Sequence, residues 1–241
     1  MATIILIPSD DIVTAIAGLN PGDKAILTAG TYDAGGGTIV KDSVNVHGNP
    51  NSIVKNVALT GSVNGYKLTG RGEFHTTVCD ITSTGLLTIH GKYLSNADIL
   101  LKGQDTNISV DTLKGSLQTT GYTKLASNYI TGNVSHDPIV DDTGFYVDIE
   151  RFAGEIFEVI NHSCTIHASI YTVVNEPPKS TFNLRKCKGT LKVFVANKSN
   201  SLNVTDDSNM RFIITPLLLL LKQMLQVNWL LKEVSRENFL Y

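Results

Sequence analysis

Acidic side chains that could serve acid–base catalysis are sparse in the central part of the chain. Glycoside hydrolysis needs two carboxyl groups, one on each side of the scissile bond. The number of residues between Asp80 and Asp105 equals the number between Glu73 and Asp98. If the chain coiled with that period, Asp80 would lie next to Asp105, and Glu73 next to Asp98. No two acids stand two residues apart, where one face of a strand would pair them. The sequence therefore predicts no catalytic residues. Residues 39 to 132 contain only six acids: Asp42, Glu73, Asp80, Asp98, Asp105 and Asp111.

The densest group of ionisable residues comprises His136, Asp137, Asp141 and Asp142. It has two interpretations: a loop at a domain junction, or a metal or acid–base site. Polar residues are common in surface loops, so we favour the loop.

A second group of metal-binding residue types is His162, Cys164 and His167. In a strand, residues 162 and 164 share one face and residue 167 lies on the other, which disfavours a single metal site. The remaining cysteines, Cys79 and Cys187, are far apart, unlike the close pairs of zinc sites. We therefore predict buried thiols, no metal and no cofactor, and assembly in a reducing cytoplasm.

Aromatic residues offer a different chemistry. Tyr66, Tyr93, Tyr122 and Tyr129 occur among runs of Asn, Ser and Thr. Tyrosine rings stack on sugars and amides hydrogen-bond them, so these four residues are candidate glycan-binding residues. The alternative is an ordinary polar exterior.

Charge and hydropathy exclude several classes of partner. The 241 residues carry a formal net charge of −2, with 42% apolar and only 17% charged residues. This balance provides no global basic field to hold nucleic acid. The apolar run Leu217–Leu221 is too short to span a bilayer, and Met1–Pro8 lacks the features of a signal peptide. We expect neither nucleic acid nor membrane as a partner.

Glycines organise the chain into a repeat. An apolar residue, a polar residue and a glycine recur seven times, and several of these glycines follow one another at nearly regular steps. A period in the low twenties without a helical pattern predicts a β-solenoid of about five coils over residues 39 to 132. An antiparallel sandwich or jelly roll is the alternative. The seven glycines are Gly48, Gly61, Gly70, Gly91, Gly103, Gly115 and Gly132, of which Gly48, Gly70, Gly91 and Gly115 set the period.

A family resemblance lies just before this repeat. The segment from Leu19 to Tyr32, LNPGDKAILTAGTY, resembles the entry segment of pectin-lyase-like right-handed parallel β-helix proteins. In those proteins a capping helix leads into a Leu-x-Pro-Gly-Asp turn, an apolar strand and a Gly-x-Tyr turn before the first coil. The resemblance covers roughly residues 10 to 132. That superfamily includes polysaccharide lyases and hydrolases as well as viral tailspikes, fibres and capsid-decorating proteins, so it implies a fold more than a function.

The expected organisation is all-β with four parts. Residues 1–38 form an N-terminal cap and leading strand, and residues 39–140 form the parallel β-helix. Residues 141–215 form a β-rich domain, a sandwich or a three-chain cap, because alternating strands continue there while the glycine corners stop. Residues 216–241 form a helix for oligomerisation or docking, with Pro216 at its first position.

The C-terminal helix carries a coiled-coil seam with alternating steps of three and four residues. Parallel association of three chains would bury it, so the sequence predicts a homotrimer, with docking on a larger partner as the rival. The seam residues are Leu217, Leu220, Met224, Val227, Leu231 and Val234.

A rigid solenoid, an uncharged polar exterior and a terminal helix that requires a partner favour a non-enzymatic virion protein. We expect a bacteriophage head-decoration spike, fibre or tailspike-like adhesin that contacts itself, other virion proteins and a host surface polysaccharide. A polysaccharide lyase or hydrolase is the competing class.

Overall fold

The computed structural model describes residues 1–141, 143–172, 180–195, 201–205 and 209–216. It is a parallel β-solenoid of about nine turns. Strands account for 71% of it and helix for 3%. The predicted all-β, β-helical fold class is therefore confirmed. The predicted C-terminal helix lies outside the described residues, except for Pro216, which ends the last strand.

One helix and fifteen strands make up the described chain. In order they are β1 (Thr3–Leu6), α1 (Ile12–Ala17), β2 (Lys24–Leu27), β3 (Gly30–Asp33), β4 (Asn45–Gly48), β5 (Ser52–Val63), β6 (Tyr66–Gly70), β7 (Glu73–Ile130), β8 (Val134–Asp137), β9 (Thr143–Phe152), β10 (Ile156–Val159), β11 (Cys164–Thr172), β12 (Thr181–Arg185), β13 (Cys187–Val195), β14 (Ser201–Thr205) and β15 (Asn209–Pro216). The long β7 passes through several corners and contributes to successive coils.

Two parallel ladders run the length of the solenoid. The first contains β1, β2, β4, β6, β7, β8, β10, β12 and β14, and the second contains β3, β5, β7, β9, β11, β13 and β15. In the first ladder Thr3 pairs with Lys24, Lys24 with Asn45, Asn45 with Lys67 and Lys67 with Thr88. These coils are nearly equal in length, and they match the period that the glycines predict.

Coils in the middle of the chain are shorter. Leu117 pairs with Val134, which is a smaller step along the chain than the one from Lys24 to Asn45. Gly115 stacks on the backbone of Asn96 in the coil below. It therefore does not stack on Gly91, the glycine that precedes it in the predicted period. The glycine corners are therefore real, but the coil length varies along the stack.

The core is a continuous column of inward side chains. Along β11, alternate residues Cys164, Ile166, Ala168 and Ile170 are buried, as the period of two in a strand requires. At the N-terminal end, α1 packs two buried isoleucines, Ile12 and Ile16, against this column.

The predicted cap helix forms because Asp11 supplies its N-cap. The Asp11 carboxylate accepts hydrogen bonds from the backbone N–H groups of Val13 (3.1 Å) and Thr14 (3.0 Å). These bonds satisfy donors that have no partner within the helix. The helix ends at Ala17, one residue before Gly18.

Between residues 141 and 216, the described strands of the second ladder continue the parallel pairing. β9, β11, β13 and β15 pair in parallel with one another, and β9 pairs with β7. The two ladders thus run across the predicted boundaries near residues 38 and 140.

Three successive corners contain a non-glycine residue with a left-handed backbone. Ile139 (φ 68°), Asn161 (φ 66°) and Lys186 (φ 51°) lie at the corners that follow β8, β10 and β12. Asparagine tolerates this conformation, whereas a β-branched residue is strained in it. Ile139 is also 47% exposed, so little packing compensates.

We predict that Ile139→Asn raises the free energy of unfolding by about 1 kcal/mol, because it relieves this strain. Val140→Asn is the matched control, since Val140 is an exposed neighbour without a positive φ. Chemical denaturation of both variants measures the difference. Equal stability of the two variants would contradict the strain argument.

Candidate functional site

The second ladder presents a row of outward side chains on neighbouring strands. Lys124 of β7 pairs with Tyr146 of β9, Tyr146 with His167 of β11, and His167 with Thr190 of β13. Residues in register on parallel strands project side by side, about 4.8 Å apart. Asp148, Ser169 and Lys192 form the adjacent row, two residues further along each strand.

These rows line an open groove of about 790 Å³. We call it the basic–aromatic groove and define it by Lys124, Tyr146, Asp148, His167 and Lys192. His90, Asn107 and Ser109 line its other end, so the groove runs across the strands, along the solenoid axis. Its volume lies within the range of about 300–1,000 Å³ typical of ligand sites.

The groove contains a ladder of aromatic rings. The ring centroids of Tyr122 and Tyr146 are 5.6 Å apart, and those of Tyr146 and His167 are 5.3 Å apart. The Lys124 Nζ lies 5.6 Å from the centre of the Tyr122 ring. Tyr146 is 39% exposed, and its ring lies between the rings of Tyr122 and His167.

This face is positively charged although the whole chain is acidic. Residues 122–130 of β7 together with β9, β11, β13 and β15 carry five Lys or Arg residues and two acids, Asp148 and Glu150. The formal charge of these strands is thus +3, against −2 for the whole chain. Fold stability alone does not require such a concentration of cations. The cations are Lys124, Arg151, Lys188, Lys192 and Arg211.

The four tyrosines predicted to bind glycan do not come together. Tyr66 is 1% exposed and belongs to the core, so its assignment as a surface residue is wrong. Tyr122 lies beside the basic–aromatic groove, where its ring contacts Tyr146 and Lys124. Tyr93 packs against His75 on another side, and the ring of Tyr129 lies 4.7 Å beneath the Arg151 guanidinium.

Tyr146 and His167, which line the groove, were not among the predicted site residues. The alternation from Phe145 to Ile149 would have placed Tyr146 outward. Its neighbours on adjacent coils become evident only from the register.

A second cluster of titratable groups surrounds His75. The Glu73 carboxylate accepts a hydrogen bond from the Lys92 ammonium at 2.6 Å, and its other oxygen is 3.9 Å from His75 Nε2. The rings of His75 and Tyr93 are 4.9 Å apart and border a groove of about 560 Å³. This cluster contains residue types that acid–base chemistry uses.

Other acids of the central coils are occupied by structural contacts. Asp80 forms an ion pair with Lys102 at 3.2 Å, and Asp111 with Arg71 at 2.7 Å. Asp42 accepts hydrogen bonds from the Asn64 side chain (3.0 Å) and backbone (2.6 Å), which lower the pKa of its carboxyl. A carboxylate stabilised in its charged form is a poor proton donor.

Contacts to the next coil also account for the predicted ionisable loop. Asp137 accepts a hydrogen bond from the Asn161 side chain at 2.6 Å and lies 3.3 Å from His162 Nδ1. Asp141 accepts one from the Ser163 backbone at 2.7 Å. Asp142 lies outside the described residues. These bonds tie one corner to the next, which agrees with the loop interpretation.

His136 is the one buried histidine among the described residues. Its ring stacks on Phe145 with centroids 4.0 Å apart, and its Nδ1 lies 2.9 Å from the Thr119 hydroxyl. Desolvation lowers the pKa of His136 to about 3, although the nearby Asp137 charge acts in the opposite direction. The ring is therefore neutral at pH 7 and structural.

The three cysteines are buried, and none of them forms a disulfide in the described part of the chain. Cys164 and Cys187 are in register on β11 and β13. Burial raises the pKa of Cys79 and of Cys164 to about 12 and that of Cys187 to about 11. Thiolates are the reactive form, so these side chains are inert at neutral pH.

Neither a metal-ligand cluster nor a membrane-spanning helix occurs in the described ranges. No three His, Cys, Asp or Glu side chains there are close enough together to hold a metal ion. The described helix has six residues and is too short to cross a membrane.

The arrangement of rings, cations and hydroxyl groups suits binding of an extended ligand more than covalent chemistry. No protein-family model, curated protein or solved structure matches this chain. Its function must therefore be inferred from its own residues.

Proposed function

We propose that this chain is a non-enzymatic structural or attachment protein of a virus particle. The forms that fit are a bacteriophage head-decoration spike, a fibre or a tailspike-like adhesin. The proposal rests on the contrast between two surfaces. Four of the six carboxylates of the central coils are engaged in ion pairs or corner bonds, whereas Lys124, Lys192 and a partly exposed Tyr146 line the basic–aromatic groove.

The architecture supports a rod-like attachment role. About nine parallel turns, stacked about 4.8 Å apart, give a rod roughly 40 Å long with continuous backbone hydrogen bonding. A rigid rod presents a lateral face without the entropic cost of ordering a loop on binding. The partners proposed are further copies of the chain, other virion proteins and a host surface polysaccharide.

The proposed location is the virion, after assembly in the host cytoplasm. Three free buried thiols suit a reducing compartment, where disulfides are rare. Mass spectrometry of gradient-purified particles tests the location. The chain should sediment with the particles at a fixed ratio to the capsid protein, and its absence would contradict the proposal.

The competing function is a polysaccharide lyase or hydrolase, and the cluster of Glu73, His75 and Tyr93 is the observation in its favour. The Glu73 carboxylate forms an ion pair with Lys92, and the Asp80 carboxylate is paired with Lys102. Hydrolysis requires two carboxyl groups, one on each side of the scissile bond. In this cluster Glu73 is the one carboxyl group, and Lys92 engages it.

We predict that the purified chain releases no products from acidic or neutral polysaccharides, with or without calcium. Reducing-end and unsaturated-product assays after prolonged incubation provide the measurement. Product release that is abolished by Asp80→Ala, Asp105→Ala or His75→Ala would overturn the non-enzymatic proposal.

The seam from Leu217 to Val234, which lies outside the described residues, motivates a prediction about assembly. Each leucine buried in a bundle contributes roughly 1.5–3 kcal/mol. We predict a homotrimer for the full chain and a lower oligomeric state for a form that ends at Thr215. Multi-angle light scattering measures the oligomeric state of both forms. A full-length monomer in dilute solution would contradict the predicted trimer.

A further inference from the structure

We infer that Cys164 and Cys187 form a latent disulfide site, which joins two neighbouring coils covalently when a small-molecule disulfide oxidises it. The site does not depend on the proposed virion role. The register of the two strands, the burial of both side chains and the place of each residue in its strand support it.

The two cysteines are partners across the second ladder. Cys164 of β11 is in register with Cys187 of β13, and these strands pair in parallel. Neighbouring strands lie about 4.7–4.9 Å apart, and disulfides usually join residues whose Cα atoms are about 4.4–6.8 Å apart. The Cα separation that strand pairing imposes therefore falls within the range that a disulfide spans.

Both side chains point into the same core. Cys164 and Cys187 are almost completely buried, and residues in register on parallel strands project on the same face. Burial is the main cause that raises the pKa of Cys164, and the negative charge of a Cys187 thiolate adds to it. The two thiols are therefore near enough to interact.

The pair lies directly inside two corners of the solenoid. Cys164 and Cys187 are the first residues of their strands. The corners before them contain the exposed residues Asn161 and Lys186, both with a left-handed backbone. Local opening of a corner needs less free energy than unpairing of a ladder. Such an opening admits a small oxidant to the thiols and lets the two sulfur atoms approach each other.

Thiol–disulfide exchange forms the bond in two steps. The Cys187 thiolate attacks one sulfur of the small disulfide, whose S–S bond breaks and releases the first small thiolate. The Cys164 thiolate then attacks the Cys187 sulfur of the mixed disulfide and releases the second. Two protein thiols are oxidised, one small disulfide is reduced to two thiols, and the two S–H protons pass to the released thiolates.

Cys187 is the expected first nucleophile. Its pKa is about 11 and that of Cys164 is about 12, so Cys187 supplies more thiolate at any lower pH. Both thiols are almost wholly protonated at neutral pH, so the site stays reduced there. The oxidation rate should rise about tenfold for each pH unit between pH 7 and 10, because the thiolate fraction rises by that factor.

The experiment incubates the full chain, purified in the reduced state, with oxidised glutathione at about pH 9. Peptide mass spectrometry without reduction should identify a link between Cys164 and Cys187, and free thiols should fall from three to one. Cys79→Ala is the matched control, because Cys79 is in register with Leu59 and should not be needed for the link. Cys164→Ala should form no disulfide within the chain. Circular dichroism checks that both variants fold.

Redox titrations with glutathione compare the folded parent chain with the same chain in urea. We expect the equilibrium constant for forming the link to be about tenfold or more larger in the folded chain, because the bond restricts mainly the unfolded chain. By linkage, the same factor increases the folding equilibrium constant. The oxidised chain should therefore unfold at a higher urea concentration than the reduced chain.

Three results would overturn the latent disulfide. The first is three free thiols in the folded chain after oxidation that forms the link in urea. The second is a link that involves Cys79 or that joins two chains. The third is an equilibrium constant that is no larger in the folded chain than in urea. None of these results depends on whether the chain occurs in virus particles, so the site and the virion role fail separately.

Discussion

Gly115→Ala is expected to destabilise the solenoid by about 3 kcal/mol or more, enough to unfold many domains. Gly115 has a φ of 129°, in the region that side chains rarely adopt. A Cβ there would lie 1.6 Å from the carbonyl oxygen of Asn96 in the coil below. The backbone cannot move away freely, because Gly132 of the next coil lies against Gly115 on the other side.

Gly18→Ala is the control for this substitution. Gly18 follows α1 with a φ of −75°, and a Cβ there would meet its nearest atom at 3.5 Å, an ordinary contact. The free energy of unfolding of the Gly18→Ala protein should differ from that of the parent chain by at most about 0.5 kcal/mol. Urea denaturation followed by circular dichroism compares the two variants. A Gly115→Ala protein with the same midpoint as Gly18→Ala would show that the close stacking of coils at this corner is wrong.

Stability is expected to fall steeply as the pH drops below about 6.5, because His136 is buried as a neutral ring. Its folded pKa is about 3, whereas the unfolded histidine has a pKa near 6.5. Between these values the unfolded chain binds a proton that the folded chain excludes. The contribution of the neutral His136 ring to the free energy of unfolding is therefore fully present above pH 6.5. It declines by roughly 1.4 kcal/mol per pH unit as the pH falls toward 3.

The double variant His136→Phe/Thr119→Val isolates this contribution. It keeps a ring against Phe145 and removes both partners of the buried hydrogen bond, so no polar group loses its partner. Between pH 6.5 and 4.5 its stability should depend on pH less steeply than that of the parent chain by roughly 1.4 kcal/mol per unit. Identical slopes in both proteins would contradict the neutral buried histidine.

The solenoid was predictable because glycines recur with the period of its first coils. Gly48 and Gly70, which are successive glycines of the predicted period, are in register in the structure. Non-glycine residues also adopt left-handed conformations: Ser43, Asn51 and Asn56 in the first coils, and Ile139, Asn161 and Lys186 in the last. Glycine spacing alone therefore does not show that the parallel strands continue past residue 137.

The candidate site was only partly predictable. Tyr66 shares a strand face with the apolar Leu68, so alternation alone indicated that it points inward, and the structure buries both residues. Alternation also places Tyr146 outward. Its position beside Tyr122 and His167 depends on the register between coils.

Coil lengths vary too much for one period to give that register. Leu117 pairs with Val134 across a short coil, whereas Ile156 pairs with Thr181 across a much longer one. A period counted from the glycines of the first coils therefore loses the correct alignment before it reaches the groove.

If the proposed function holds, a virus encodes the chain, and electron cryomicroscopy of its purified particles tests that proposal most directly. The proposed function predicts density on the particle exterior into which the described parallel solenoid fits, with the face of β9, β11 and β13 accessible to the surroundings. Particles that carry no such density, and from which the chain is also absent by mass spectrometry, would contradict the proposed function.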